Sequence, residues 1–85
     1  MYQDVTIVIP TISFNNYLLQ CVTKIKQISN LIKIIIVSDN RIDDAELLKF
    51  KFIKIILNKK KLTISKKRNI GVHKAKTNYI GFIDS

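Results

Sequence analysis

The stretch I-K-I-I-I-V-S-D-N, residues 32–40, decides the fold class. All but one of the residues from Ile32 to Val37 are β-branched and apolar, and they occupy consecutive positions instead of alternating with polar ones. A strand of this composition is typical of a parallel sheet, where both faces of the strand are buried under other elements. The polar residues 38–40 then predict a turn. We therefore expect a parallel sheet with helices on both faces.

Outward from this strand, the sequence predicts three more strands and three helices. The further strands are predicted at residues 5–9, 52–57 and 79–83. Pro10 has no backbone N–H to donate to a sheet, so it is expected to close the first strand. The helices are predicted at residues 17–28, 43–48 and 65–76, and Gly71 weakens the last of them.

The first predicted helix has an apolar stripe at offsets of three and four residues. The stripe contains Leu18, Cys21, Val22, Ile25 and Ile28. The opposite face contains Lys24, Lys26 and Gln27. Side chains that suit an N-cap precede the helix at Ser13, Asn15 and Asn16. We therefore expect Cys21 in the core and the lysines of this helix on its polar face.

The predicted order β-α-β-α-β-α-β is that of an α/β fold with right-handed crossovers. We expect one Rossmann-like domain over residues 1–85, a three-layer αβα arrangement around a mainly parallel four-stranded sheet. Ligands of such sheets bind beyond the carboxyl ends of the strands. Two carboxylates, Asp39 and Asp84, are predicted at that edge, together with residues 10–11 and Asn58.

Composition excludes several classes of protein. The chain has 85 residues, and its net charge of +9 comes from fifteen Lys and Arg against six Asp and Glu. With one Cys and one His it can form neither an internal disulfide nor a Cys/His zinc site. No apolar stretch reaches the ~18 to 20 residues that a membrane span needs, and a basic secretion-signal segment is missing at the start. We therefore expect a cytoplasmic protein.

The sequence lacks the glycine-rich motifs of two nucleotide-binding classes, the Rossmann dehydrogenases and the P-loop NTPases. Neither G-x-G-x-x-G nor G-x-x-x-x-G-K-[ST] occurs, since Gly71 and Gly81 are the only glycines. A hard cation such as Mg²⁺ or Mn²⁺ binds one or two carboxylates plus phosphate oxygens, and Asp84 offers one carboxylate. Asp39 suits a hydrogen bond from a base N–H. Arg68 suits a phosphate, or an ion pair with Asp84 or Asp39.

Five segments, in order, carry a family resemblance. They are V-T-I-V-I-P-T at residues 5–11, Y-L at 17–18, I-I-I-V-S-D-N at 34–40, K-R-N-I-G-V at 67–72 and Y-I-G-F-I-D-S at 79–85. Together they resemble the opening of a family 2 glycosyltransferase of the GT-A fold, whose pattern runs V-S-V-I-I-P-T, V-V-D-D-G-S, A-R-N-x-G and Y-I-x-F-L-D-x-D. The order and spacing agree along essentially the whole chain.

The resemblance implies a role for individual residues. Pro10 and Thr11 would line the nucleotide pocket, and Asp39 would contact the uracil of a UDP-sugar. Arg68 would lie near the donor. Asp84 matches the first Asp of D-x-D, which holds the nucleotide and its divalent metal, Mn²⁺ or Mg²⁺. The implied chemistry is transfer of a sugar from a nucleotide donor to a hydroxyl acceptor, with inversion at the anomeric carbon.

The sequence also departs from the family pattern. Ile12 and Ser13 replace Tyr-Asn, Ser38 replaces the first Asp of V-V-D-D, and residues 40–41 replace Gly-Ser. Because the chain stops at Ser85, the second Asp of D-x-D, the acceptor half and the family's catalytic base would all be missing. We therefore assign no catalytic residue and expect a truncated domain, inactive alone, whose exposed last strand favours self-association.

An alternative prediction follows from the charge. Thirteen of the fifteen cations are lysines, and a positive field attracts phosphates, nucleic acid or anionic lipid head groups. The alternative is therefore a module that binds nucleic acid or a protein partner. In this interpretation the chain is a small basic αβ module that has inherited only the fold of the family. The run 59–61 is predicted to be a solvated loop, with peripheral contact to an anionic membrane as the competing interpretation.

Overall fold

The computed structural model describes residues 1–84 and confirms the predicted alternation of strands and helices. A 3₁₀ turn at Tyr2–Asp4 comes first. The strands are β1 (Val5–Thr11), β2 (Lys33–Ser38), β3 (Ile53–Leu57) and β4 (Tyr79–Phe82). The helices are α1 (Asn16–Ile28), α2 (Ala45–Leu48) and α3 (Ile64–Lys74). None of these helices is long and apolar enough to cross a bilayer.

The four strands form one parallel sheet in the order β3-β2-β1-β4. The pairs Ile9↔Ile36 and Ile36↔Ile55 fix the register of the three strands on one side. β4 pairs with β1 from Val5↔Tyr79 to Val8↔Phe82. The consecutive apolar residues of β2 are buried on both faces, as predicted from residues 32–37.

The sheet separates two apolar clusters, which confirms the three-layer arrangement. On one face Ile9, Ile34 and Ile36 pack with the apolar stripe of α1 and with Leu47 of α2. On the other face Val8, Ile35 and Val37 pack with Ile70 of α3, with Ala75 and with Ile80. This division of the strand side chains between the two faces is the Rossmann-like fold that the sequence predicts.

Pro10 does not end β1, and the predicted boundary was wrong by two residues. The strand continues to Thr11, and Pro10 is buried opposite Val37 of β2. The carbonyl of Val8 accepts a hydrogen bond from the Ile83 N–H, so the backbone groups of Pro10, two residues further on, also face the β4 side. The missing N–H of Pro10 therefore lies on the β4 side and breaks no bond of the β1–β2 ladder. It also costs no bond to β4, because the pairing with β4 stops at Val8.

Helix α1 differs from its prediction in three side chains. It begins after Asn15, whose side chain accepts a hydrogen bond from the Leu18 N–H. Lys26, predicted on the polar face, is 6% exposed, and its ammonium donates to the carbonyls of Asn30 and Ile32. Cys21, predicted in the core, is only half-buried, and Ile28 is exposed. Helical periodicity cannot predict a buried lysine whose ammonium donates to carbonyls of the following loop.

Gly71 serves close packing and does not merely weaken α3. A Cβ built on Gly71 would lie 2.3 Å from Cγ1 of Val8, closer than any real contact allows. The absence of a side chain therefore lets the helix lie directly against β1. Thr63 caps the N-terminus of the same helix by accepting from the Lys66 N–H.

Candidate functional site

The carboxyl ends of the parallel strands carry the polar residues that the sequence predicts there. Ser38 is buried, and its hydroxyl lies 2.6 Å from the carbonyl oxygen of Asn40 and 3.3 Å from that of Ile12. The side-chain amide of Asn40 also donates to the Ile12 carbonyl at 2.8 Å. These departures from the family pattern therefore form one network that joins the loops after β1 and β2.

Asp39 is held by a buried ion pair. Its Oδ2 lies 2.7 Å from the ammonium of Lys67, and the side chains of Lys67 and Asp39 are 3% and 7% exposed. Its Oδ1 accepts from the side-chain amide of Asn58 at 3.3 Å and from the Leu62 N–H at 3.2 Å. The carboxylate thus connects the end of β2 with the loop after β3 and with α3.

The surroundings of Asp39 favour its charged form. The Lys67 ammonium beside Oδ2 lowers the pKa of the carboxyl below its ordinary 3.8 and is the strongest influence. Burial is second and raises the pKa, while the weaker hydrogen bonds from Asn58 and Leu62 lower it. The carboxylate is consequently ionised at neutral pH and available as a hydrogen-bond acceptor only.

Pro10 and Thr11, the last two residues of β1, are buried at this edge. Thr11 is 2% exposed, and its hydroxyl donates to the Ser13 carbonyl at 2.9 Å. Its own carbonyl accepts from the Lys67 ammonium at 2.9 Å. Lys67 therefore brings Thr11 and Asp39 together across α3, whereas the Thr11 side chain is turned into its own loop.

Arg68 and Asp84 form a second pair. The Arg68 Nη2 lies 2.7 Å from Oδ1 and 2.9 Å from Oδ2 of Asp84. Their side chains are 39% and 57% exposed, so this pair faces solvent. The guanidinium also stacks over the ring of Phe82, 5.5 Å from its centroid. The Nε of Arg68 is buried and has no hydrogen-bond partner among the described residues. The neighbouring residues Lys67 and Arg68 thus serve both carboxylates.

The described carboxylates of this edge do not form a metal cluster by themselves. The described residues contain no group of three His, Cys, Asp or Glu side chains close enough to share a metal ion. Asp84 is a single carboxylate, and both its oxygens contact Arg68. Magnesium is commonly held by one or two carboxylates with substrate phosphates supplying further ligands. A divalent cation at this edge would therefore need ligands beyond these side chains, with Asp84 as the carboxylate that could bind it.

Two residues of this edge were not predicted from the sequence. Lys67 stands where the family pattern has Ala, and the prediction gave it no role. Tyr17, at the start of α1, has its pKa raised first by the Cys21 thiol one turn along and, more weakly, by burial and the charge of Asp84. The spacing of Lys67 and Gly71, one turn apart on the buried face of α3, was the available signal for Lys67.

Fold and edge define a class of protein, and a comparison assigns the family. A parallel αβα sheet of this order, with polar and charged residues beyond its strand ends, is a Rossmann-like domain. The family model described as Glycosyl transferase family 2 matches residues 6–85. The chain therefore belongs to glycosyl transferase family 2. Searches of curated proteins and of solved structures returned no match.

Proposed function

We propose that this chain binds the nucleotide-diphospho-sugar donor of a glycosyltransferase at the carboxyl edge of its sheet, with a UDP-sugar as the donor. The observation that carries the proposal is the Arg68–Asp84 pair, which presents a cation and a carboxylate to solvent at a strand end. Family membership supplies the reaction class, transfer of a sugar from a nucleotide donor. Inversion at the anomeric carbon and a hydroxyl acceptor are further parts of the proposal.

Each residue of the edge has a role in this proposal. Asp39 accepts a hydrogen bond from the base, while Pro10 and Thr11 form the floor beneath the nucleoside. Arg68 turns from Asp84 to the diphosphate, where a guanidinium forms bidentate hydrogen bonds with phosphate oxygens. That exchange releases the Asp84 carboxylate. Breaking the Arg68–Asp84 pair costs little free energy, because a solvent-exposed ion pair contributes only about 0 to 1 kcal/mol.

A divalent cation fits the proposal as a partner of Asp84. Divalent metals are common in this family. Mg²⁺ or Mn²⁺ bound to the released carboxylate and to the diphosphate would neutralise the charge of the leaving group. The described residues contain no group of three His, Cys, Asp or Glu side chains that could hold such an ion by themselves, so metal binding is expected to depend on the nucleotide.

Binding without turnover is expected from these 85 residues. General-base catalysis requires a positioned carboxylate that can accept the proton of the acceptor hydroxyl. Asp39 is engaged by Lys67, and Asp84, once Arg68 has turned to the diphosphate, is assigned to the divalent cation, so neither is left to accept a proton. Sugar transfer by this chain alone would contradict the assignment of no catalytic residue.

Calorimetry with UDP, with and without Mn²⁺, tests the proposal. We expect weak binding that Mn²⁺ strengthens. Arg68→Met should weaken it by at least about tenfold, because a charge-assisted hydrogen bond contributes about 1.5 to 3 kcal/mol. Asp84→Asn should abolish the effect of Mn²⁺. Asp43→Asn is the matched control for Asp84→Asn, because it also removes one negative charge, from an exposed position before α2. A folded protein that binds no UDP at millimolar concentration would refute the proposal.

A further inference from the structure

A cavity at the opposite edge of the sheet is not used by the proposed function. It has a volume of about 310 Å³ and lies where β1, β2 and β3 begin and α3 ends. Its walls include Lys33, Lys54, Lys74 and Lys76. A second cavity, lined in part by Leu31, Lys49 and Lys51, shares Phe52 with the first. We call these six lysines, Leu31 and Phe52 the amino-edge surface.

In the described part of the chain, no carboxylate forms an ion pair with the lysines of the amino-edge surface. Neither cavity has an Asp or Glu in its wall. Among residues 1–84 the ion pairs found are Lys67–Asp39 and Arg68–Asp84, both at the carboxyl edge. Asp4 precedes β1 and forms no ion pair with these lysines, because its oxygens accept from the backbone and side chain of Asn78. Six lysines, none of them in an ion pair among residues 1–84, create a positive field that attracts a polyanion.

Apolar side chains are exposed within this charged surface. Phe52 is 52% exposed and Leu31 is 48% exposed. Phe52 also has a φ of 58°, a left-handed conformation that is unfavourable for a bulky residue. Backbone strain of this kind is concentrated at functional positions. The strained backbone presents the ring at the wall shared by the two cavities.

The combination of six lysines with exposed apolar side chains favours one class of polyanion over the others. Nucleic-acid bases are read by the planar fork of arginine and by stacking on aromatic rings. No arginine lines either cavity. A small soluble phosphate would leave Phe52 and Leu31 in water. An anionic bilayer accepts both groups, because its headgroups bind lysine while its interface accepts Phe and Leu.

We propose that the amino-edge surface docks on a membrane that contains anionic phospholipids, with Phe52 and Leu31 entering the interface and the six lysines contacting headgroup phosphates. The carboxyl edge then faces away from the membrane. The seven residues of β1 separate the two edges by about 20 Å. That distance exceeds the Debye length of about 8 Å, so charge changes at one edge barely affect the other.

Vesicle co-sedimentation tests the charge part of the proposal. The protein is expected to bind vesicles of phosphatidylcholine mixed with phosphatidylglycerol, and not vesicles of phosphatidylcholine alone. Lys54→Glu combined with Lys76→Glu should weaken binding by more than about tenfold, since one lysine near an anionic surface contributes about fivefold. Lys59→Glu combined with Lys60→Glu changes the net charge equally, but at exposed positions after β3. It should weaken binding much less.

The apolar part has its own variants. Phe52→Gly removes the ring and relieves the left-handed backbone, so folding is expected to be preserved. Leu31→Ser and Ile64→Ser change residues of similar exposure, 48% and 52%, at the amino edge and at the first residue of α3. Phe52→Gly and Leu31→Ser should weaken vesicle binding, whereas Ile64→Ser should not. Circular dichroism confirms that each variant is folded.

Four outcomes would overturn the proposal. Equal binding to neutral and anionic vesicles would exclude the headgroup contact. Equal losses in the two double-lysine variants would show that only net charge matters. Loss of vesicle binding in excess free glycerol phosphate would indicate a small-anion pocket. Binding to RNA without binding to vesicles would assign the surface to nucleic acid.

Discussion

Lys67 shows how one side chain can determine the geometry of a whole edge. Its ammonium contacts Asp39 at the end of β2 and the Thr11 carbonyl at the end of β1. Burying both charges costs desolvation energy, so such a pair contributes less to stability than its short distance implies. The pair fixes the position of α3 relative to two strand ends, and with it the position of Arg68, the next residue.

Acid should release this pair, and the direction follows from the lowered pKa of Asp39. A carboxyl with a folded-state pKa below its ordinary 3.8 stabilises the fold above that pH. The stabilisation is lost as the pH falls through 3.8 toward the folded-state value. Urea midpoints for the wild type and Asp39→Asn should therefore differ at neutral pH, with the variant less stable, and converge in acid.

Asp84→Asn is the matched control for this titration. It removes the same charge from a pair whose carboxylate is 57% exposed, so its midpoint should differ little from wild type at any pH. A gap between wild type and Asp39→Asn that persists at acid pH would indicate a steric effect of the substitution. The ionised carboxylate would then not be what stabilises the edge.

At the scale of elements, α3 and β1 are in contact because Gly71 has no side chain. Gly71→Ala places a Cβ 2.3 Å from Cγ1 of Val8. The clash should destabilise the protein by about 1 to 3 kcal/mol, although alanine favours the helix by about 1 kcal/mol. Val8→Ala removes the clashing methyl groups, so the two substitutions combined should cost at least about 1 kcal/mol less than their sum.

Chemical denaturation of the four proteins in this cycle measures the coupling between Gly71 and Val8. Gly81→Ala is the control, because its Cβ would meet only the Cδ1 of Ile7, at 3.0 Å, the movable end of a flexible side chain. It should cost less than Gly71→Ala. Strict additivity of Gly71→Ala and Val8→Ala would show that the close approach of α3 to β1 does not set the cost.

The elements themselves were largely predictable, because their signals are local. Runs of β-branched residues gave β2 and β3, and the stripe from Leu18 to Ile25 gave α1. The errors concern residues whose environment is set outside their own strand or helix. Pro10 is tolerated because β4 pairing stops before it, and Lys26 is buried because the next loop offers two carbonyls.

The candidate site was predictable only in part, for the same reason. A parallel sheet brings its strand ends together, so Asp39 and Asp84 were correctly placed at one edge. The partner of Asp39 was missed because Lys67 lies on another element, α3, and no local pattern marks a contact between the end of β2 and a distant helix. The exposed Arg68–Asp84 pair was anticipated because a cation near a strand-end carboxylate was among the predicted alternatives.

At the scale of the whole molecule, the two edge strands differ in their protection. β3 carries an exposed lysine, Lys54, and a charge on an edge strand discourages pairing with another chain. β4 has the sequence Y-I-G-F and no charge. Tyr79 is 67% exposed and Phe82 44% exposed. In the described part of the chain β4 pairs with β1 alone, which leaves its other side open.

The open side of β4 should make the protein self-associate. A second copy can pair there through backbone hydrogen bonds and cover the exposed rings of Tyr79 and Phe82. Sedimentation velocity should therefore show association that increases with concentration. Tyr79→Lys places a charge on the edge and should shift the protein toward monomer. Ile28→Lys adds the same charge at a residue 63% exposed at the end of α1, and it should leave association unchanged. Equal effects of the two variants would assign the change to net charge and would exclude β4 as the contact.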